Sequence, residues 1–199
     1  GGLWEAAVKC FKTHLKRSAG NHVFSQRSFD TVVAEIEAVM NSRPLCSMSN
    51  DPNDYRTLTP AHFFFLFESE NELVTHEDLT QMQQNRLSKW RVNEQIIQHF
   101  WKRWHKEIIN TMQQRKKWQT DRPNIKIGDL VLIHEENVPP LKWPLGRVID
   151  VSYGSDNFVR AATMQTQNGK CTRVITRLAV LPNGERPTET AFLTFYTTE

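Results

Sequence analysis

The sequence predicts an α+β chain in which helices come first and short strands last. Three observations carry this. Apolar residues recur at helical spacing in three stretches, the last running from about Gln84 to Gln119. Past Asp121-Arg122-Pro123-Asn124 the pattern changes to short β-rich runs. An Asn168-Gly169 pair sits between two of those runs.

The elements follow in order. Trp4, Val8, Phe11 and Leu15 lie at spacings of four, three and four, one face of an amphipathic helix that Gly20 and Asn21 stop. A second helix is expected from Phe29 to about Asn41, with Ser28 as N-cap and Phe29, Val32, Val33, Ile36, Val39 and Met40 inward. Pro44 cannot continue it. Residues 41–62 are rich in turn dipeptides, and Phe63, Phe64, Phe65 and Phe67 follow as an aromatic run. Packing at a core edge is the reading preferred for that run, and an exposed partner-binding patch is the alternative. An acidic linker leads to a long helical pattern from Gln84 to Gln119, roughly 50 Å if unbroken. Its stripe is Leu87, Trp90, Ile97, Trp101, Trp104 and Ile108, widened by Ile96, Phe100 and Met112, and its tryptophans are read as packing residues.

Strands are expected at 125–133, 147–153, 158–166 and 171–178. Asn-Gly between the last two predicts a tight hairpin with both turn residues at positive φ. So many short strands in so little chain predict a small, strongly bent barrel. The tail after Pro182 has no period and is expected to fray.

Composition removes several classes. At 199 residues and 39% hydrophobic the chain can bury a core, so disorder throughout is excluded. No apolar run approaches the ~18 residues of a membrane span, and no secretory leader opens the chain. Cys10, Cys46 and Cys171 are odd in number and far apart, which fits a reducing compartment rather than a disulfide framework or a C-x-x-C zinc site. The seven histidines show no zinc-finger spacing, and His62 is expected to be structural. Residue 1 is Gly and the first Met is Met40, so the chain is expected to be a piece of something longer.

The net charge of +3 conceals a segregation. From Arg86 to Arg122 ten basic residues face three acids, a net +7, and the rest of the chain carries −4. Cations facing a polyanion release its counterions, so phosphate binding is one reading and a solvated helix face is the other. On the first helix Glu5, Lys9, Lys12 and Lys16 share one face beside the apolar stripe. That face could hold a metal next to a phosphate backbone. The plainer reading, favoured by spacing alone, is a Glu5–Lys9 ion pair worth about 0.3–0.5 kcal/mol.

The segments GGLWEAAVK, NSRPL, LTPAHF, NRLSKW, HFWKRW, IGDLVLI and PLKWPLGRV occur in this order. Together they closely resemble the terminal part of the integrase of BEL/Pao-type LTR retrotransposons, from Gly1 to about Pro182. One departure stands out. After LTPAHF the family runs through a short apolar stretch into a glycine, where this chain has Phe64, Phe65, Leu66 and Phe67, a hint of a decayed copy.

The resemblance implies an RNase H-like catalytic core whose Asp, Asp, Glu triad holds Mg²⁺ or Mn²⁺, with Glu5 matching the last acid. The two aspartates would precede Gly1. Two-metal chemistry needs ions about 3.5–4 Å apart bridged by several carboxylates, so Glu5 alone is expected neither to bind an ion tightly nor to catalyse. The family's zinc-binding N-terminal domain is likewise not matched. Residues 1–67 would be the remnant of the core, 68–84 an acidic linker, 85–122 a basic helix, 123–182 an SH3-like DNA-binding barrel and 183–199 a flexible tail. The implied partners are double-stranded DNA (element ends and target), the rest of the integrase polypeptide and further copies of the intact enzyme, with no membrane. The compartment would be nuclear or cytoplasmic, in virus-like particles if the element is active. Candidate DNA contacts are Lys9, Lys12, Lys16, Lys102, Arg103, Lys106, Arg115, Lys116, Lys117, Arg147, Arg173 and Arg177. Trp143, a signature residue of the family, is expected to pack. The rival to DNA binding is a non-enzymatic protein-interaction or domesticated scaffold module.

Overall fold

The helical period of the first forty residues produces two helices. The computed structural model describes residues 2–49, 51–64, 77–113 and 124–182. Within it α1 (Leu3–Ala19) ends at Gly20, whose φ of 57° is open to glycine without a Cβ clash and whose N–H donates to the Lys16 carbonyl. The inward face of α1 is rotated from the expected stripe. Leu15, Ala19, His14 and Ser18 are buried and Phe11 is half-buried, while Val8 is exposed. The Trp4 side chain lies outside the described residues.

The second helix, α2 (Gln26–Asn41), starts earlier than its apolar pattern. Its cap is Ser25, whose Oγ accepts the Ser28 N–H at 3.3 Å, and not Ser28. The Ser28 hydroxyl has a longer reach: it donates to Asn93 Oδ1 at 2.7 Å and ties two helices together. Val32, Ile36 and Val39 form the buried stripe. The turn-rich stretch that follows contains a short antiparallel pair, β1 (Cys46–Ser47) with β2 (Thr57–Leu58), and one helical turn, α3 (Ala61–Phe64). There His62 Nδ1 accepts the Thr59 N–H at 3.0 Å, a structural role. Phe63 and Phe64 are 63% and 64% exposed, contrary to the expected core edge, while Phe65 and Phe67 lie outside the described residues.

The long helix starts later than its sequence pattern, and the end of that pattern, residues 114–119, lies outside the described residues. A 3-10 turn (Gln84–Arg86) precedes α4 (Lys89–Gln113). Its 25 residues span about 37 Å. Trp90 is 65% exposed, one turn too early for the stripe, whereas Val92, Ile96, Ile97, Phe100, Trp101, Trp104 and Ile108 meet α1 and α2 in one core. Two buried glutamines fasten the incoming segment. Gln95 Nε2 donates to the Leu79 and Met82 carbonyls, and Gln98 Oε1 accepts the Leu79 N–H at 2.8 Å.

The β-rich runs form a five-stranded antiparallel sheet from β3 (Leu130–Ile133), β4 (Leu145–Tyr153), β5 (Val159–Thr166), β6 (Gly169–Val174) and β7 (Leu178–Val180), in the order β6-β5-β4-β3-β7. Leu130 faces Arg147, Val131 faces Val180 and Val148 faces Met164. Register shifts between Val148 and Asp150 and between Ser152 and Tyr153 bend β4, as bulges do. Between β6 and β7 stands a 3-10 turn (Ile175–Arg177), and no ladder joins those two strands. The expected hairpin is present with a different turn. Asn168 keeps a negative φ, and Gly169 alone takes the left-handed one, at 118°.

Because successive residues of a strand point to opposite faces, β3 is buried on both. Val131 and Ile133 join Val148, Ala162, Met164 and Leu178 inside the bent sheet. Leu132 points the other way, to Ile109 of α4 and Ala179 of β7. Gly146 permits this closeness, since a Cβ there would stand 3.0 Å from Met164 Cβ and 3.2 Å from Ile133 Cδ1. Trp143 packs, as expected. Its ring centroid lies 5.0 Å from Trp101, 4.8 Å from His105 and 5.8 Å from Trp104, and its Nε1 donates to Ser42 Oγ at 3.0 Å. The α+β class holds, and no described helix is long and apolar enough to cross a membrane.

Candidate nucleic-acid interface

The outward face of α4 is what its inward face leaves over. With Trp101, Trp104, His105 and Ile108 buried, Lys102, Arg103 and Lys106 project to solvent. On α1, Lys9, Lys12, Lys16 and Arg17 are exposed for the same reason. None of the expected cations Lys9, Lys12, Lys16, Lys102, Arg103, Lys106 and Arg177 forms an ion pair with another described residue.

Three histidines show which of these charges are neighbours. Burial holds His14 below its usual pKa, and Arg17 and Arg103 push it the same way against Glu107. His99 is lowered by burial, then by Arg103 and Lys102. His134, at the end of β3, is lowered by burial, then by Arg177 and Lys106. Cations thus stand near one another from the end of α1 along α4 to the turn before β7, with Glu107, Asp78 and Glu136 among them. Arg17 is one of these cations although the ladder spacing of α1 did not single it out. Its signal was present in the sequence as a basic residue in the helix's last turn. For Lys9, Lys12 and Lys16 the structure shows exposure on one helix face and no such link to α4.

Two expected contacts have other partners. Arg147 is only 4% exposed and works internally. Nη1 donates to the Gly128 carbonyl at 2.9 Å, and Nη2 donates to the Asp54 carbonyl at 2.8 Å and reaches the Ser49 carbonyl at 3.4 Å. Its guanidinium ties Ser49 and Asp54 to the sheet and is removed from the surface set. Arg173 is half-buried and paired with Glu135 at 3.3 Å, so its charge is partly neutralised. Arg115, Lys116 and Lys117 lie outside the described residues.

Beside the cations of α4 a pocket of about 460 Å³ opens between α4 and the loop after β3. Lys102, Lys106 and His134 line it, but so do Glu77, Asp78, Glu135 and Glu136, so its field is mixed. At its floor His105 is pushed down to about 4, by burial first and by His134 second. It stays neutral at physiological pH, wedged against Trp101 and Trp143.

Glu5 is exposed in the first turn of α1 and joins no cluster of three metal-ligating side chains among the described residues. One exposed carboxylate does not fit the Mg²⁺ or Mn²⁺ pair that the family's chemistry requires, and no catalytic step can be built on it.

A helical and sheet module with exposed basic residues is the class that fold and site define. The profile of a family described only as one of unknown function (DUF5641) matches residues 88–181, which encloses α4 and the whole five-stranded sheet. No curated protein matched the chain, and no solved structure did.

Proposed function

We propose that this chain is the C-terminal part of a BEL/Pao-type retrotransposon integrase and that its contribution to DNA integration is binding duplex DNA. One observation carries the reading: Lys102, Arg103 and Lys106 of α4 stand exposed without ion-pair partners among the described residues, in a group of cations that Arg17 and Arg177 extend onto α1 and the sheet. A cation row fixed on a helix backbone presents charge at a spacing that a phosphate backbone can follow. The five strands with their bends and the 3-10 turn before β7 support an SH3-like barrel for the sheet, and α1 to α3 would be the end of an RNase H-like core. The intact enzyme would take Mg²⁺ or Mn²⁺ and would assemble with its own copies.

The second reading, a protein-interaction or scaffold module, draws on exposed Phe63, Phe64 and Trp90. Fluorescence anisotropy of a labelled duplex separates the two. Saturable binding at low salt, little affected by base sequence, is expected. A flat signal at 50 mM salt with correctly folded protein contradicts the DNA reading and favours the scaffold.

A further inference from the structure

The contact between α1 and α4 brings together three side chains of different chemistry that the DNA reading does not use. Cys10 and His14 are four residues apart on α1, so they stand one above the other on the same face. Glu107 reaches them from α4. Its Oε2 lies 3.1 Å from His14 Nε2, and one donor atom from each of the three residues falls within 4.8 Å of the other two. His14 is 3% exposed, Cys10 half-buried and Glu107 exposed, so the cluster has a closed inner wall and an open outer side.

We propose that Cys10, His14 and Glu107 form a binding site for a single zinc-class transition-metal ion that staples α1 to α4. The donor set decides the metal. A sulfur, an imidazole nitrogen and a carboxylate oxygen suit Zn²⁺ or Co²⁺, whereas hard ions such as Mg²⁺ prefer oxygens alone. Zinc bonds of about 2.3 Å to sulfur and 2.0 Å to nitrogen or oxygen place tetrahedral donors about 3.3–3.5 Å apart. The His14–Glu107 edge is already near that length, and the sulfur needs to close by at most about 1.3 Å. On binding, the Cys10 thiol, which burial pushes up to about 11, gives its proton to solvent and the thiolate lone pair bonds the metal. The proton that His14 Nε2 shares with Glu107 moves to Nδ1 and frees the Nε2 lone pair for the metal. Thiolate and carboxylate together then balance the ion's two positive charges. Three protein donors with one open side leave the fourth position to water or to a group from outside the chain. Glu5 takes no part: it lies five residues before Cys10, about 140° round the helix.

The test is a Zn²⁺ and Co²⁺ titration of the full chain under a non-chelating reductant, with no DNA present, so that it stands or falls independently of the DNA reading. One Co²⁺ per chain is expected, with a thiolate charge-transfer band in the near ultraviolet and tetrahedral bands in the visible. Cys10→Ser should abolish the charge-transfer band. Glu107→Gln, an exposed change that leaves the helices packed, should weaken Co²⁺ binding at least about tenfold. Excess Mg²⁺ should not compete. No stoichiometric binding, or a cobalt spectrum and affinity unchanged in both variants, would overturn the site.

Discussion

Replacing Arg147 by Met separates a folding role from a DNA-binding one. The methionine retains much of the apolar stem and removes the guanidinium. Two short hydrogen bonds are lost, at 2.9 Å to the Gly128 carbonyl and 2.8 Å to the Asp54 carbonyl, while the 3.4 Å approach to Ser49 adds little. A hydrogen bond to a charged group contributes about 1.5–3 kcal/mol, which gives about 3–6 kcal/mol for two. Against this stands Arg147 Nε, buried without a partner, whose removal returns about 1–3 kcal/mol. The net loss is therefore centred on about 2.5 kcal/mol, read as a lower midpoint at unchanged slope in urea unfolding. Duplex affinity measured well below that midpoint should stay within about threefold of the parent, since the buried guanidinium faces no phosphate. A stability loss under about 1 kcal/mol would refute the folding role. A tenfold drop in DNA affinity with native circular dichroism would restore Arg147 to the interface.

Three further outcomes are expected. Trp143→Ala removes contacts with three aromatic side chains and the bond to Ser42. Because Trp143 is only half-buried, the cost should be about 2–3 kcal/mol rather than the ~3–5 of a fully buried aromatic, and a loss below 1 kcal/mol in chemical denaturation contradicts the packing role. His105, ordinarily near 6.5 and held at about 4 in the fold, is neutral in the folded chain while the unfolded chain takes up a proton. Stability should be full above pH 6.5 and fall by on the order of 3 kcal/mol as pH drops to 4; His105→Phe should remove that component, and identical pH profiles for the two proteins would show it absent. Strand-transfer assays of this chain with Mg²⁺ or Mn²⁺ should yield no joined product, and measurable joining would mean that Glu5 has catalytic partners elsewhere in it.

The elements were largely legible because burial periodicity is a local property. Val32, Ile36 and Val39 lie where a 3.6-residue repeat puts them, and Trp143 packs as expected. What was illegible depended on contacts distant in sequence. Ser28 looked like a cap because it precedes an apolar run, yet its hydroxyl serves Asn93, 65 residues on, and Ser25 caps. Trp90 continued the apolar stripe on paper, but α4 begins at Lys89 and nothing among the described residues covers that ring. In the site, the exposure of Lys102, Arg103 and Lys106 followed from the helical period alone. The interior use of Arg147 could not, because two of its three acceptors are carbonyls more than ninety residues away. Cys10 with His14 was visible as an i, i+4 pair, but Glu107 reached it only through the packing of α1 on α4.

The claim that α4 meets phosphates is tested most directly by the salt dependence of duplex binding, compared between the chain and a Lys102→Ala, Arg103→Ala, Lys106→Ala variant. Each phosphate neutralised contributes roughly 0.9 to the slope of log K against log salt, so the variant's slope should be shallower by about 2.7. Equal slopes for the two proteins, or a parent affinity that does not change with salt, would contradict it.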